Sequence, residues 1–143
     1  MATERRAEVV WQGDLMNGSG TIGAVTSGAF GPLDVSWAAR SQEPNGQSSP
    51  EELIAAAWAA CFAMALSHGL AQAGNPPEKL ETSATVTFQP GEGIIKGALT
   101  VRGTVPGLDE NGFKDAANGA KETCPVSKAL AGIPEVTLDA SLA

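Results

Sequence analysis

The sequence predicts an α+β fold carried by a single domain. Its 143 residues match the ~100–200 residues of one ordinary domain. Short apolar stretches, several of them with period-two alternation, indicate strands near both ends, and one long apolar stretch in the middle indicates a helix. No internal repeat interrupts this pattern. The predicted order of elements across residues 1–143 is β-β-β-α-β-β-α-α-β.

Three strands are predicted in the first forty residues. Ala7 to Trp11 is a short apolar stretch, and Thr21 to Val25 follows a glycine-rich turn. Leu33, Val35 and Trp37 alternate with polar residues, which is typical of a half-buried strand. A loop rich in proline, asparagine and glycine closes this region.

A long helix is predicted from Pro50 to Ala73. Ser49 has the side chain of an N-cap, proline suits the first helical position, and Glu52 completes a capping box. Gly74 is expected at C′, with two prolines beyond it as a stop. The stretch from Leu53 to Leu66 is apolar on every side, so we expect this helix to be covered all round, in part by a partner helix.

The C-terminal half predicts a hairpin, two helices and a final strand. A turn of two glycines and a proline separates the two strands of the hairpin. The alternation of Val136, Leu138, Ala140 and Leu142 indicates the last strand. The predicted elements are strands Glu81 to Phe88 and Ile94 to Val105, helices Asp109 to Glu122 and Cys124 to Leu130, and strand Val136 to Leu142.

Composition and charge exclude several classes of protein. Charged residues make up 17% of the chain, below the ~25% of an average domain, whereas a disordered tail would be highly charged. The net charge of −7 opposes binding to nucleic acids and to anionic membrane surfaces, both of which attract basic proteins. We therefore expect neither a nucleic-acid partner nor a membrane partner.

No targeting or spanning segment is expected. The first fourteen residues contain Glu4, Arg5, Arg6 and Glu8 and lack the apolar core of a signal peptide. The apolar run from Leu53 to Leu66 is shorter than the ~20 residues of a spanning helix, which favours a buried core helix. These features predict a cytoplasmic protein, in which thiols are kept reduced.

Two cysteines and one histidine are the main candidates for chemistry. Cys61, Cys124 and His68 have no close metal-ligand spacing, so no metal and no cofactor is expected. His68 follows Cys61 by about 10.5 Å along a helix, too far for a nucleophile pair, and is taken as a structural or surface residue. Cys124 precedes Pro125 at a predicted helix start, which lowers a thiol pKa.

The residues alone leave the reactivity of the cysteines open. Cys61 lies mid-helix among apolar neighbours, where burial raises a thiol pKa and keeps the group inert. Both cysteines are therefore consistent with inert core positions. A reactive Cys61 needs a nearby cation, and Arg40, placed at the end of the third strand just before the loop, is the arginine best placed to provide one.

Two stretches together resemble a known family. Ser49 to Ser67, reading SPEELIAAAWAACFAMALS, and Thr123 to Leu130, reading TCPVSKAL, are similar to the OsmC/Ohr family of thiol peroxidases, and more closely to its osmotically inducible OsmC branch. The resemblance covers the whole chain in length and element order. It implies the OsmC-like fold and a homodimer with sites at the subunit interface.

The resemblance also implies roles for individual residues. Cys61 corresponds to the peroxidatic cysteine and Cys124 to the resolving cysteine of the family. Arg40 and Glu51 correspond to the arginine and glutamate that poise the thiolate. Trp58 stands where His or Tyr is often found. An apolar substrate pocket is expected to be lined by Trp58, Phe62 and Met64.

The implied reaction is the reduction of organic hydroperoxides to alcohols, an antioxidant stress response. Cys61 would form a sulfenic acid, Cys124 would condense with it to a disulfide, and a lipoyl-type dithiol or other thiol donor would reset the pair. Two rival hypotheses keep the same fold. The first is a non-catalytic dimeric module that binds a small apolar ligand, and the second is a redox sensor.

Helix geometry bears on the assembly. Glu51 and Cys61 are ten residues apart on one helix, about 15 Å along its axis. They cannot share a contact shell within one chain, so a glutamate that serves Cys61 is expected to come from an antiparallel partner in a two-fold dimer.

Overall fold

Internal contacts divide the chain into two units, Met1–Pro50 and Glu51–Ala143. The structure, a computed structural model, describes residues 1–143. The elements follow the order β-β-β-α-α-β-β-α-α-β, which confirms the α+β class and adds one short helix to the predicted order. That the chain forms one domain stays a prediction.

The N-terminal unit contains an antiparallel sheet of three strands. In sequence order they are β1 (Ala7–Gln12), β2 (Ser19–Val25) and β3 (Leu33–Val35), with β2 in the centre. Every residue of β1 is exposed, including Val10 and Trp11. Within the N-terminal unit, this edge strand therefore has no covered face.

The predicted third strand ends earlier than expected. It stops at Val35, and a short helix, α1 (Trp37–Ser41), follows. Ser36 is the reason, because its Oγ accepts a hydrogen bond from the N–H of Ala39 at 3.1 Å and so caps the new helix. Arg40 consequently lies in the last turn of α1, and its predicted place at a strand end was wrong.

The long helix α2 (Pro50–Gln72) begins and ends close to the predicted positions. Gly74 adopts a φ of +88°, its N–H donates to the carbonyl of Ala71, and the N–H of Asn75 donates to the carbonyl of Leu70. These two bonds form a Schellman motif, which requires the left-handed conformation that glycine adopts freely. The predicted role of Gly74 at C′ is confirmed.

The C-terminal unit contains a second sheet of three strands, β4 (Lys79–Gln89), β5 (Gly93–Thr104) and β6 (Glu135–Leu142). Central β5 pairs antiparallel with β4, as the predicted hairpin, and parallel with β6. A parallel pair needs a crossover connection. Helices α3 (Glu110–Thr123) and α4 (Pro125–Ala129) lie in that connection.

One face of the second sheet is covered by helices. The buried core joins residues of α2 and α3 to alternate residues of β5, as expected for a strand with one covered face. Its fully buried large side chains are Trp58, Phe62, Leu66 and Leu70 from α2, Leu99 and Val101 from β5, Phe113 from α3, and Cys124.

Helix α2 is long and apolar enough, by length and composition, to cross a membrane. Its Trp58, Phe62, Leu66 and Leu70 nevertheless lie in the core of the C-terminal unit, so one face of α2 packs as a core helix does. The opposite face, with Met64 72% exposed, stays uncovered within the C-terminal unit. The expected all-round cover is therefore not provided by this unit.

Two glycines of β5 make room for aromatic rings of the helices. A Cβ at Gly97 would overlap the indole ring of Trp58, and a Cβ at Gly103 would overlap the ring of Phe113. Both glycines are buried on the covered face of the strand. The rings of α2 and α3 therefore sit directly on the backbone of β5.

We predict that Gly97→Ala destabilises the protein by about 1–3 kcal/mol, because an added methyl group in a packed core forces the Trp58 ring to shift. Urea denaturation measures the change in the free energy of unfolding. The matched control is Gly23→Ala in β2, where the added Cβ meets no atom within 4 Å. Equal stabilities for the two variants would contradict this account of the packing.

Candidate functional site

The two cysteines meet in the C-terminal unit. Cys61 lies in the middle of α2, and Cys124 lies 63 positions later at the junction of α3 and α4. Their Sγ atoms are 3.0 Å apart, and both are free thiols. A disulfide bond of about 2.0 Å requires the two sulfurs to approach by only about 1 Å.

The backbone at Cys124 belongs to both neighbouring helices. Its N–H donates to the carbonyl of Ala120 in α3, and its carbonyl accepts from the N–H of Lys128 at the end of α4. Pro125 disfavours the helical conformation at the residue before it, and Cys124 accordingly has a ψ of 121°. The Cys-Pro dipeptide thus turns the chain and points the sulfur into the core.

The two sulfurs differ in exposure. Cys124 is 0% exposed, whereas Cys61 is partly exposed. A solute that approaches the C-terminal unit therefore reaches the sulfur of Cys61 before that of Cys124.

The two thiols also differ in their tendency to ionise. Burial raises the pKa of Cys61, and the contact with Cys124 raises it further. Burial also acts to raise the pKa of Cys124, but hydrogen bonds from Cys61, Ser127 and the N–H of Val126 outweigh it and leave this pKa below its ordinary value. When both thiols are protonated, Cys124 donates to Cys61; once Cys124 is a thiolate, Cys61 donates instead.

Trp58 and Ser127 extend the site behind Cys124. The indole N–H of Trp58 donates to Ser127 Oγ at 2.8 Å. Ser127 was missed by the sequence analysis, although it lies within the stretch that carries the family resemblance. The sequence signal for Ser127 is its position, because a hydroxyl side chain three residues after the cysteine of a Cys-Pro pair lies on the first turn of the helix that follows.

The three residues expected to wall a substrate pocket lie in different environments. Trp58 and Phe62 are buried in the core. Met64 is exposed and lines an open groove of about 540 Å³ together with Ser67 and His68. His68 is a surface residue, one of the two places expected for it.

Glu51 shares the C-terminal unit with the cysteine pair but lies apart from it along α2. Glu51 lies in the first turn of α2 and is 6% exposed. It precedes Cys61 by ten residues, about 15 Å along the helix axis. Arg40 belongs to the N-terminal unit. The C-terminal unit thus brings together two of the four residues expected to carry the chemistry.

No group of three or more His, Cys, Asp or Glu side chains in the chain is arranged to hold a metal ion. The chemistry that this unit offers is that of a close dithiol. One sulfur is accessible and the other is buried and held by hydrogen bonds.

Comparison with known proteins places this geometry in a family. The family model described as OsmC-like protein matches residues 43–139. The chain is 38% identical over 145 aligned positions to the peroxiredoxin OsmC of Escherichia coli, with 99% of each chain covered. It is 34% identical to the organic hydroperoxide resistance protein OhrB of Bacillus subtilis, with 84% of this chain and 90% of that protein covered.

The fold agrees with the same assignment. A crystal structure of an organic hydroperoxide resistance protein OsmC from Legionella pneumophila aligns with a TM-score of 0.69 and 26% identity, covering 95% of this chain and 96% of the other. The fold is thus the OsmC-like fold, and the chain belongs to the OsmC-like protein family.

Proposed function

We propose that this protein is a cysteine-based peroxidase that reduces organic hydroperoxides to alcohols and is reset by a dithiol. The observation that carries the proposal is the 3.0 Å separation of two free sulfurs, Cys61 and Cys124. The names of the relatives in Escherichia coli and Bacillus subtilis, a peroxiredoxin and a hydroperoxide resistance protein, support the same chemistry.

Cys61 is the sulfur that attacks the peroxide. The pKa directions within the C-terminal unit favour the thiolate on Cys124, but that sulfur is fully buried, and a nucleophile must touch its substrate. Attack of the Cys61 thiolate on the peroxide breaks the O–O bond. It leaves a sulfenic acid on Cys61 and, with one proton, releases the alcohol.

A cation is needed to ionise Cys61, because its burial and its neighbour both raise its pKa. We assign this role to Arg40, because a guanidinium can hold a thiolate by charge-assisted hydrogen bonds. Glu51 orients that guanidinium through a bidentate pair. The near-complete burial of the Glu51 carboxylate supports the role, since buried carboxylates need charged or hydrogen-bonding partners.

Cys124 resolves the oxidised state. Its sulfur attacks the sulfenic sulfur of Cys61, forming the disulfide and releasing water, before a second peroxide oxidises Cys61 irreversibly. An external dithiol of lipoyl type, or another thiol donor, then reduces this disulfide and becomes a disulfide itself. The protein needs no metal or cofactor for these steps.

The substrate preference follows from the apolar surroundings of Cys61. Met64 offers an exposed apolar surface one turn away from Cys61 on α2, whereas Trp58 and Phe62 are buried in the core and shape the site only from within. An exposed apolar surface favours the alkyl or aryl group of an organic hydroperoxide over hydrogen peroxide.

The exposed face of α2 is the place for a second copy of the chain. Ala57, Ala60, Met64 and Ala71 lie on this face and are exposed, at spacings of three, four and seven residues. A two-fold dimer that packs two such helices antiparallel covers this face. It also brings the partner's first helical turn toward the middle of α2, where Cys61 lies. The dimer is thus the arrangement in which Glu51 of one chain serves Cys61 of the other. The compartment that we propose for the protein is the cytoplasm.

We predict opposite failures for the two cysteine variants. Cys61→Ser abolishes consumption of cumene hydroperoxide, because a hydroxyl is not a nucleophile of comparable strength. Cys124→Ser keeps the first turnover but loses sustained turnover with a dithiol, and Cys61 drifts to sulfinic acid at high peroxide. Stopped-flow kinetics and intact-mass analysis measure both. Residual turnover in Cys61→Ser clearly above the background rate would instead make Cys124 the attacking thiol.

Replacement of Arg40 should impair the first step alone. Arg40→Ala raises the pKa of Cys61, and each unit of that rise lowers the thiolate fraction near neutral pH about tenfold. The burst should therefore slow at least about tenfold and recover as the pH rises. Arg102→Ala, on an exposed position of β5, is the matched control. A full, fast burst in Arg40→Ala would show that another group activates Cys61.

We predict a particle of twice the 14.5 kDa chain mass by light scattering at micromolar concentration. Met64→Glu, which places a charge on the exposed face of α2, should shift the protein toward the monomer, because a buried unpaired charge is unfavourable. A monomeric wild type would contradict the dimer and with it the cross-chain role of Glu51.

A further inference from the structure

The buried indole of Trp58 holds a hydroxyl in a defined direction. Trp58 is 1% exposed, so its N–H needs a partner inside the protein, and it donates to Ser127 Oγ at 2.8 Å. An indole N–H can only donate. The oxygen of Ser127 is therefore the acceptor, and its own hydrogen must point elsewhere.

The remaining direction leads to Cys124. The hydroxyl of Ser127 is among the groups whose hydrogen bonds favour the Cys124 thiolate. Ser127 lies three residues after Cys124, on the first turn of α4, where a side chain reaches back toward the residue that precedes the helix. Trp58, Ser127 and Cys124 thus form one cluster, in which the indole N–H occupies the oxygen of the hydroxyl and the Cys124 thiolate is a group that its hydrogen can serve.

The indole itself is fixed by the sheet. Its Cζ3 and Cη2 atoms occupy the space that a side chain at Gly97 of β5 would fill. A ring that packs on the backbone has little freedom to rotate its N–H away from Ser127. The position of the hydroxyl is therefore set by the core and not by α4 alone.

The charged groups near this arrangement lie on its outer side. Lys121 and Glu122 at the end of α3, and Lys128 of α4, line a depression that also contacts Trp58 and Ser127. From α2, the titratable group that contacts Cys124 is Cys61. The groups that favour the Cys124 thiolate are the Cys61 thiol, Ser127 and the N–H of Val126, and the lysines are not among them.

We propose that Trp58 is a positioning residue which, through Ser127, makes Cys124 the leaving sulfur when the Cys61–Cys124 disulfide is reduced. The proposal rests on the peroxidase cycle proposed above. A thiolate of the reducing dithiol attacks Cys61 Sγ, the S–S bond breaks, and its electron pair leaves on Cys124 Sγ. The second thiol of the reductant then displaces Cys61 and completes the disulfide of the reductant.

Exposure and hydrogen bonding select the same direction of attack. Cys61 is the partly exposed sulfur and Cys124 the buried one, so a reductant reaches Cys61. A better-stabilised thiolate leaves faster, and the Ser127 hydroxyl stabilises Cys124. The Ser127 hydroxyl, which stabilises the Cys124 thiolate of the reduced protein, therefore also speeds the reduction of the Cys61–Cys124 disulfide.

The first test measures the pKa of Cys124 without any peroxide. In a Cys61→Ser background, the pH dependence of the ultraviolet absorbance of the thiolate reports this one thiol, because absorbance needs no access to a buried sulfur. Ser127→Val should raise the midpoint of the Cys124 titration by about one pH unit, since a hydrogen bond to a charged group is lost. Threonine has the shape of valine but carries a hydroxyl, so Ser127→Thr should keep the low midpoint. Equal midpoints for the valine and threonine variants would overturn the proposal.

The second test asks whether Trp58 acts through Ser127. In the same Cys61→Ser background, Trp58→Phe removes the indole N–H and should raise the midpoint of the Cys124 titration. Combined with Ser127→Val, it should raise this midpoint no further than Ser127→Val does alone. Trp11→Phe is the matched control, because the N–H of Trp11 donates to the carbonyl of Gly13 in the other unit. Additive effects of the Trp58 and Ser127 variants would show that Trp58 does not act through the hydroxyl.

The third test locates the sulfur that the reductant attacks. The oxidised wild type, treated with a monothiol and quenched with acid, should carry the mixed disulfide on Cys61 in peptide mass mapping. A mixed disulfide on Cys124 would overturn the proposal even if the peroxidase cycle holds. If the protein instead consumes no peroxide while the Cys124 midpoints shift as expected, the proposed function fails and the positioning role of Trp58 stands.

Discussion

The contact between the two cysteine sulfurs is the feature on which the rest of this structure depends. A separation of 3.0 Å between thiols from distant parts of the chain needs two elements held in fixed register. Helix α2 is held by its aromatic and aliphatic face in the core, and the junction of α3 and α4 is held by the turn at Cys124 and Pro125. The close packing of the C-terminal unit is thus what keeps a redox pair poised.

The pair is asymmetric, and the asymmetry divides the work between the sulfurs. Cys61 is accessible but has a raised pKa, and Cys124 is buried but has hydrogen bonds that favour its thiolate. An attacking sulfur needs access, and a leaving or resolving sulfur needs stabilisation near its partner. The first sulfur therefore requires a cation, which the proposal assigns to Arg40, and the second is served by Ser127.

Much of this arrangement could be predicted from the sequence, because it depends on local signals. The Pro50 start and the Gly74 end of α2, the hairpin of β4 and β5, and the helix after Cys124 all have turn or capping residues that act within a few positions. The helix α1 was missed because Trp37 continues an alternating pattern, and only the cap formed by Ser36 separates it from the strand.

The partners of the site could not be read from local patterns. Gly97 and Trp58 are neighbours only because β5 lies under α2, and Trp58 meets Ser127 across 69 positions. The direction of the pKa difference was predicted, because Cys61 has apolar neighbours and Cys124 precedes a helix start, but the hydrogen bonds to Cys124 come from a turn that forms only in the folded chain. The resemblance identified both cysteines, and the structure supplied the distance between their sulfurs.

The most direct test of the account is to oxidise the reduced wild-type protein with one equivalent of cumene hydroperoxide and to map its disulfides by peptide mass spectrometry. The account predicts a stoichiometric bond between Cys61 and Cys124 of the same chain, formed with release of cumyl alcohol. A persistent sulfenic acid on Cys61, or a disulfide between chains, would contradict the claim that the sulfur contact is the working part of the site.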